Sequence, residues 1–254
     1  MEVLRCPRCW IESIRHRPLT RAGITLPDPK GDLYRSFKKD DSVEIRLGYR
    51  NEDPFIWKGT ASWIQRGHTK DQIEVGAIGA EKPLTTTMIT QAWENENPEA
   101  IIKWAIVQAG LTVGRIDSPG VTIPRYAAGN IPVWQVARQC AHTCQRSFDI
   151  DMSRWAFWMG QDEKVNWGDF DEDGDIPSIA TGEGLIEHLP AAAAKGINIV
   201  ETFLLAGFMH SMKFRLTDAR RGIDAEFRAL SVRHEILERS ARTFIGYGEE
   251  YEKY

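Results

Sequence analysis

Across Val43-Glu44-Ile45-Arg46-Leu47-Gly48-Tyr49 every odd residue is apolar and every even one is not. Successive side chains of a strand point to opposite faces, so a strict period of two describes a half-buried strand and excludes an amphipathic helix. The same alternation returns at Gln72 to Ala77, at Met212 to Leu216 and at Ile223 to Ala229, with Asp218 to Gly222 as the turn between the last two. Asn51-Glu52-Asp53-Pro54 carries turn chemistry between the Val43 strand and a second one over Phe55 to Ile64, which predicts a hairpin. Ala22 to Asp28 reads as a strand stopped by a proline turn, and Gly196 to Leu205 as another strand.

Between these regions the period changes. Asn97-Pro98-Glu99 supplies an N-cap, a first-turn proline and a first-turn acid, which predicts a helix over Ala100 to Ala109 with Gly110 as its stop. A second helix begins near Asn130-Ile131-Pro132 and aligns Val133, Val136, Ala137, Cys140 and Cys144 on one stripe. After it, Ser147 to Gly160 reads as a short hairpin, with Phe148 and Ile150 on one arm and Trp155 to Trp158 on the other. The chain therefore runs β, α, β. The stretch from Arg239 to Tyr254 is charged and aromatic and is expected to be extended or mobile unless a partner holds it.

With 254 residues the chain is long enough to bury a core without metal or disulfide support. Its formal charge is −4 with both signs interspersed, so no basic stripe is available to grip phosphates. The N-terminus lacks the apolar core of a signal peptide, and the most apolar stretch, near Ile197 to Phe208, is broken by Asn198, Glu201 and Thr202. A soluble cytosolic product with reduced thiols is expected, with no membrane anchor.

Three blocks in a fixed order carry a family likeness. Ile24-Thr25-Leu26-Pro27-Asp28, then Asp40 to Tyr49, then Phe55-Ile56-Trp57-Lys58-Gly59 resemble the first barrel of the late control protein D and baseplate hub family, which is related to the hub part of type VI spike proteins. Pro98 to Gly110 and Ile123 to Cys144 resemble that family's helical segment, and Ile186 to Leu230 its second barrel. The likeness covers about residues 20 to 232. It implies an α+β, mainly β fold: two tail-tube-like β-barrel domains with a helical and hairpin insertion between them. The corresponding division is an N-terminal segment 1–20, a first barrel 21–95, the insertion 96–165, a second barrel 166–238 and a tail 239–254.

The same resemblance implies a structural, non-enzymatic hub at a phage tail tip or baseplate. Three copies would form a pseudo-sixfold ring joining the hexameric tail tube to a trimeric central spike. The implied partners are the tail tube protein, the spike protein and other baseplate or tail-tip proteins, in a virion tail assembled in the host cytoplasm. DNA would pass through the lumen without specific binding. No spike-like run of short repeats follows Leu230, so the spike would be a separate protein.

Few residues announce chemistry. Cys6-Pro7-Arg8-Cys9 has the spacing of half a zinc or iron–sulfur site, to be closed by Cys140 and Cys144 or by His16 and His142; bare Cys-x-x-Cys pairs also occur as redox sites or idle thiols. The plainer reading of Cys140 and Cys144 is core packing, where free cysteine behaves as a small hydrophobe. Asp169, Asp171 and Asp173, followed by Gly174, repeat the start of a calcium loop, but Ala180 stands where its twelfth-position acid belongs. An acidic solvated loop is the plainer account. No cofactor is expected beyond a metal at these positions.

For catalysis the six histidines are scattered, with no His-Glu-x-x-His and no Gly-x-Ser-x-Gly. Glu94 and Glu96 could in principle serve a tail-associated peptidoglycan hydrolase, the rival class of function, although exposed charge on a linker explains them as well. A small metal-binding module built on Cys6 and Cys9 is the third class.

Overall fold

The computed structural model describes residues 6–69, 71–170, 176–192 and 196–248. In chain order its elements begin with β1 (Arg8–Ile14), β2 (Arg21–Pro27), α1 (Asp32–Ser36), β3 (Ser42–Leu47), β4 (Phe55–Arg66) and β5 (Gln72–Gly79). A middle region follows: α2 (Pro83–Thr86), β6 (Met88–Glu96), α3 (Pro98–Gln108), β7 (Thr112–Ile116), β8 (Ile123–Pro132), α4 (Val133–Phe148), β9 (Trp155–Met159) and β10 (Lys164–Asp169). The last elements are β11 (Ser178–Thr181), β12 (Gly184–Leu189), β13 (Ile197–Phe203), β14 (Lys213–Asp218), β15 (Ile223–Arg228), β16 (Ser231–Leu237) and β17 (Ser240–Gly248). The chain divides into two compact units, one made of its two ends and one of residues 80–171.

The mainly β, α+β class is the one expected, and the paired-strand regions at both ends are where the alternation puts them. The terminal regions build one twelve-stranded sheet, in the order β15-β14-β11-β12-β13-β17-β16-β1-β2-β5-β4-β3. Alternation sends Val43, Ile45, Leu47, Ile73, Val75 and Ala77 into a first core. It sends Phe214, Leu216, Val232, Ile245 and Tyr247 into a second. The sheet thus carries two lobes, one per core, and each lobe draws on strands that neither hairpin alone could bury.

Two barrels were expected, but the hydrogen bonding of the described strands does not close. Closing the first lobe on itself would need β1 to pair with β3. Instead β1 spends one edge on β2 and the other on β16, from Arg8 opposite Leu237 to Ile14 opposite Ser231, which welds the lobes into a single open sheet. The stretch expected as an unmatched N-terminal segment therefore supplies the joining strand. Likewise Ser240–Gly248, expected as part of a tail, is extended and held between β13 and β16 by the chain itself.

The second unit packs α3 and α4 with two small sheets. Ile101, Ile102, Ala105 and Ile106 of α3 meet Val133, Val136, Ala137, Cys140 and Cys144 of α4 in a third core, the stripe that helical spacing requires. Two expectations are corrected in this unit. Ile123 to Pro132, matched to a helical segment, is strand β8, paired with β6 from Glu96 opposite Ile123 to Met88 opposite Pro132. The hairpin begins later than Ser147: α4 runs to Phe148, Asp149 ends it in the left-handed region at φ 54°, and the arms are β9 and β10.

Candidate assembly surface and candidate metal positions

Cys9 lies on the inward face of β1 in the first core, and Cys6 stands half-buried just before that strand. The Cys6 thiol donates to the Arg8 carbonyl at 2.8 Å and the Thr25 carbonyl at 3.0 Å. Burial pushes both thiols up, Cys9 to about 12, with the neighbouring Cys6 adding to the shift there. Metals take thiolates, and burial without a metal disfavours that form at both positions. Both line an open cleft of about 1800 Å³ in the first lobe, walled by Leu26, Phe37, Val43, Ile45 and Ile236.

Cys140 and Cys144 belong to the core of the other unit, and burial raises both, Cys144 to about 11. Among the described residues no three of His, Cys, Asp and Glu come together in a way that could hold a metal ion. Asp169 ends β10, where one carboxylate oxygen meets the Arg154 guanidinium at 2.6 Å. Asp171 and Asp173 lie outside the described residues. Glu94 and Glu96 are on β6 in the exposed ribbon with β8, and Glu94 reaches Arg125 at 3.8 Å.

The second lobe holds a polar cluster that sequence patterns did not disclose. β12 brings His188, the end of β14 brings Asp218, and β17 brings Tyr247. His188 Nδ1 is 2.7 Å from Asp218 Oδ2, and the Tyr247 hydroxyl is 2.9 Å from His188 Nε2. Arg221 and the Arg220 backbone N–H donate to the same carboxylate, at 3.0 Å each. The His188 hydrogen bond, more than any other cause, holds the Asp218 carboxyl below its ordinary range.

A histidine between a carboxylate and a hydroxyl is the geometry of proton relay. Here all three side chains are buried, so no substrate atom has access and the cluster acts as a clamp across strands. His210 and His234 are buried as well, and burial depresses them to about 3 and about 4, leaving both neutral near pH 7.

The other face of the large sheet is turned away from its cores. One cross-strand row runs through Phe203, Arg242, Glu235, Trp10, Gly23, Gly76 and Trp63. The Trp10 indole lies over Gly23 and the Trp63 indole over Gly76, so a Cβ at either glycine would run into a ring. Arg233 stacks on Trp10 with its guanidinium 4.6 Å from the ring centre. The middle of this face closes its charges internally: Arg8 Nε reaches Glu235 at 2.8 Å, Arg233 reaches Glu235 at 3.7 Å, and Arg242 reaches Glu201 at 3.3 Å. Its exposed apolar groups include Leu189, Ile197, Ile199 and Phe203 on β12 and β13, Leu237 on β16 and Trp63 on β4.

No family model and no curated protein sequence matches the chain. Solved structures do. A tail protein from Neisseria meningitidis MC58 superposes with a TM-score of 0.71 at 10% identity, covering 97% of this chain and 93% of that one. The 43 kDa tail protein of prophage MuSo2 from Shewanella oneidensis gives a TM-score of 0.71 at 11% identity over 96% and 93%. The E. coli c3393 protein, a type VI secretion component described as structurally similar to T4 bacteriophage tail proteins gp27 and gp5, gives 0.59 at 12% identity over 98% and 74%. The chain has the fold of phage tail proteins, and the type VI component shares it. Among the described residues no helix is long and apolar enough to cross a membrane.

Proposed function

We propose that the chain is a structural hub at the tip of a phage-type tail: three copies form a ring with six lobes that joins a hexameric tail tube to a trimeric spike. The observation that carries this reading is the single sheet with two lobes, each with its own core. Two comparable lobes per chain let three chains present six similar surfaces upward and three identical chains downward, which is what a symmetry mismatch requires. The likeness to tail proteins over nearly the whole chain supports the same reading. Its partners are then a second and third copy, the tube protein, the spike protein and other tail-tip proteins, within the virion tail. The absence of a basic stripe suits a lumen through which DNA passes without being gripped.

Light scattering of the purified protein across a concentration series, alone and with tube and spike proteins, tests it. A trimer, by itself or on those partners, is the expected result. A chain that stays monomeric in both settings, or that hydrolyses peptidoglycan, overturns the proposal.

A further inference from the structure

A closed ring of identical chains needs two different patches per chain, each complementary to the other, because neighbours meet head to tail. The core-distal face of the large sheet offers two such patches. At the second-lobe end, Leu189, Ile197, Ile199 and Phe203 are between 39% and 52% exposed and flank Glu187. At the first-lobe end, Trp63 is 45% exposed and lies near Ile78, which is paired across the strands with Arg21.

The charges on the strands between these patches are largely engaged. Arg8, Glu12, Glu201, Arg233, Glu235 and Arg242 engage one another within the chain. Glu187 and Arg21 are exposed and make no ion pair among the described residues, although Glu187 lies across from Glu201 and Arg21 across from Glu12. They are opposite in sign, and each sits beside apolar groups. Phe203 and Trp63 are six strand spacings apart, about 29 Å along the sheet, so one chain cannot bring its own two patches together. Sheet twist also turns the two ends to different directions, as a head-to-tail contact requires.

We propose that these patches are the two halves of one contact between copies of this chain: Leu189, Ile199 and Phe203 of one copy cover Trp63 and Ile78 of the next, with Glu187 paired to Arg21. The inference rests on the ring reading above and adds to it the surfaces that build the ring. An apolar centre with one enclosed ion pair is the composition of a specific interface, in which the charge pair fixes orientation.

The test uses the full chain. Self-association is measured by light scattering and native mass spectrometry for the wild type, Glu187→Arg, Arg21→Glu and the double charge swap, with circular dichroism melts to confirm folding. Each single change is expected to raise the half-association concentration about tenfold or more, and the double swap to recover most of that loss. If a reversed charge unfolds the chain, Glu187→Gln and Arg21→Gln replace it, with smaller losses expected. An oligomer unaffected by either single change overturns this contact and leaves the hub reading standing. So does a loss that the double swap fails to recover. A wild type monomeric alone that trimerises only on tube and spike also overturns the contact without overturning the hub.

Discussion

The first lobe buries Val43, Ile45, Leu47, Ile73 and Val75 from strands of unbroken alternation, whereas the second buries His188, Asp218, His234 and Thr243 among Phe214, Leu216 and Ile245. Connectivity differs in the same direction. Every strand pair within the first lobe is antiparallel, while β11 in the second runs parallel to both β12 and β14. A buried apolar side chain gains from any apolar neighbour, but a buried polar one needs a particular partner in a particular place. The first lobe is therefore held mainly by pattern, with buried Asp28 accepting from the Leu33 and Tyr34 N–H groups as an exception, and the second more by specific partners.

The contrast breaks most visibly at the centre of the second core. Phe214→Ala removes a fully buried ring and is expected to cost about 3 to 5 kcal/mol, read from urea unfolding. Hydrogen exchange on the same variant should show β11 to β15 losing protection while β2 to β5 keep theirs; equal loss in both would make the sheet one cooperative unit.

Acid should separate the lobes next. His210 and His234 have folded values of about 3 and about 4, below an unfolded value near 6.5. The unfolded chain binds more protons between those limits, so the stability from keeping these rings neutral is complete above about pH 6.5 and falls as the pH drops toward the folded values. Each histidine contributes at most about 1.4 kcal/mol per pH unit in that window. Asp218 works lower on the scale: its depressed carboxyl stabilises above about pH 4, and that contribution is lost as the pH falls through its folded value. Unfolding measured at pH 7 and pH 5.5 should show a smaller loss for His234→Gln than for the wild type.

Two smaller effects sharpen the comparison on the first-lobe side. Gly23→Ala places a methyl against the Trp10 indole and should cost about 1 to 2 kcal/mol, with a change in tryptophan fluorescence as the ring is displaced. Cys6→Ser should change stability by less than about 0.5 kcal/mol, since a hydroxyl can still donate to the Thr25 carbonyl. In the folded wild type Cys9, Cys140 and Cys144 should resist a thiol reagent that reacts rapidly after denaturation. Zinc or iron recovered with the wild type and lost in Cys6→Ser would instead favour the metal module.

Legibility follows the same division. β3, β4, β5, β14 and β15 could be read because most of their inward positions are apolar and most of their outward ones polar, with Trp63 outward on β4 and Asp218 inward on β14 as exceptions. The two joining strands hid their faces. β1 points Trp10 outward and Ser13 inward, and β16 points His234 inward, so neither shows clean alternation. Among the candidate sites, the spacing of Cys6 and Cys9 showed that the thiols could be neighbours, but not that burial would push both of them up. No sequence spacing linked His188, Asp218 and Tyr247, which three different elements bring together.

The amino-acid sequence by itself determined the periods, the β, α, β order, the two helices with their buried stripe, and the turns that join neighbouring strands, since all of these depend on residues a few positions apart. Only the tertiary structure decided that the lobes share one sheet, that β1 pairs with β16 across a separation of 227 residues, and that Glu187 and Arg21 lie five strands apart on one face. Alternation states which side of a strand is buried. It says nothing about which strand lies alongside, because every strand carries the same backbone donors and acceptors, and the partner is chosen by the packing of the whole chain.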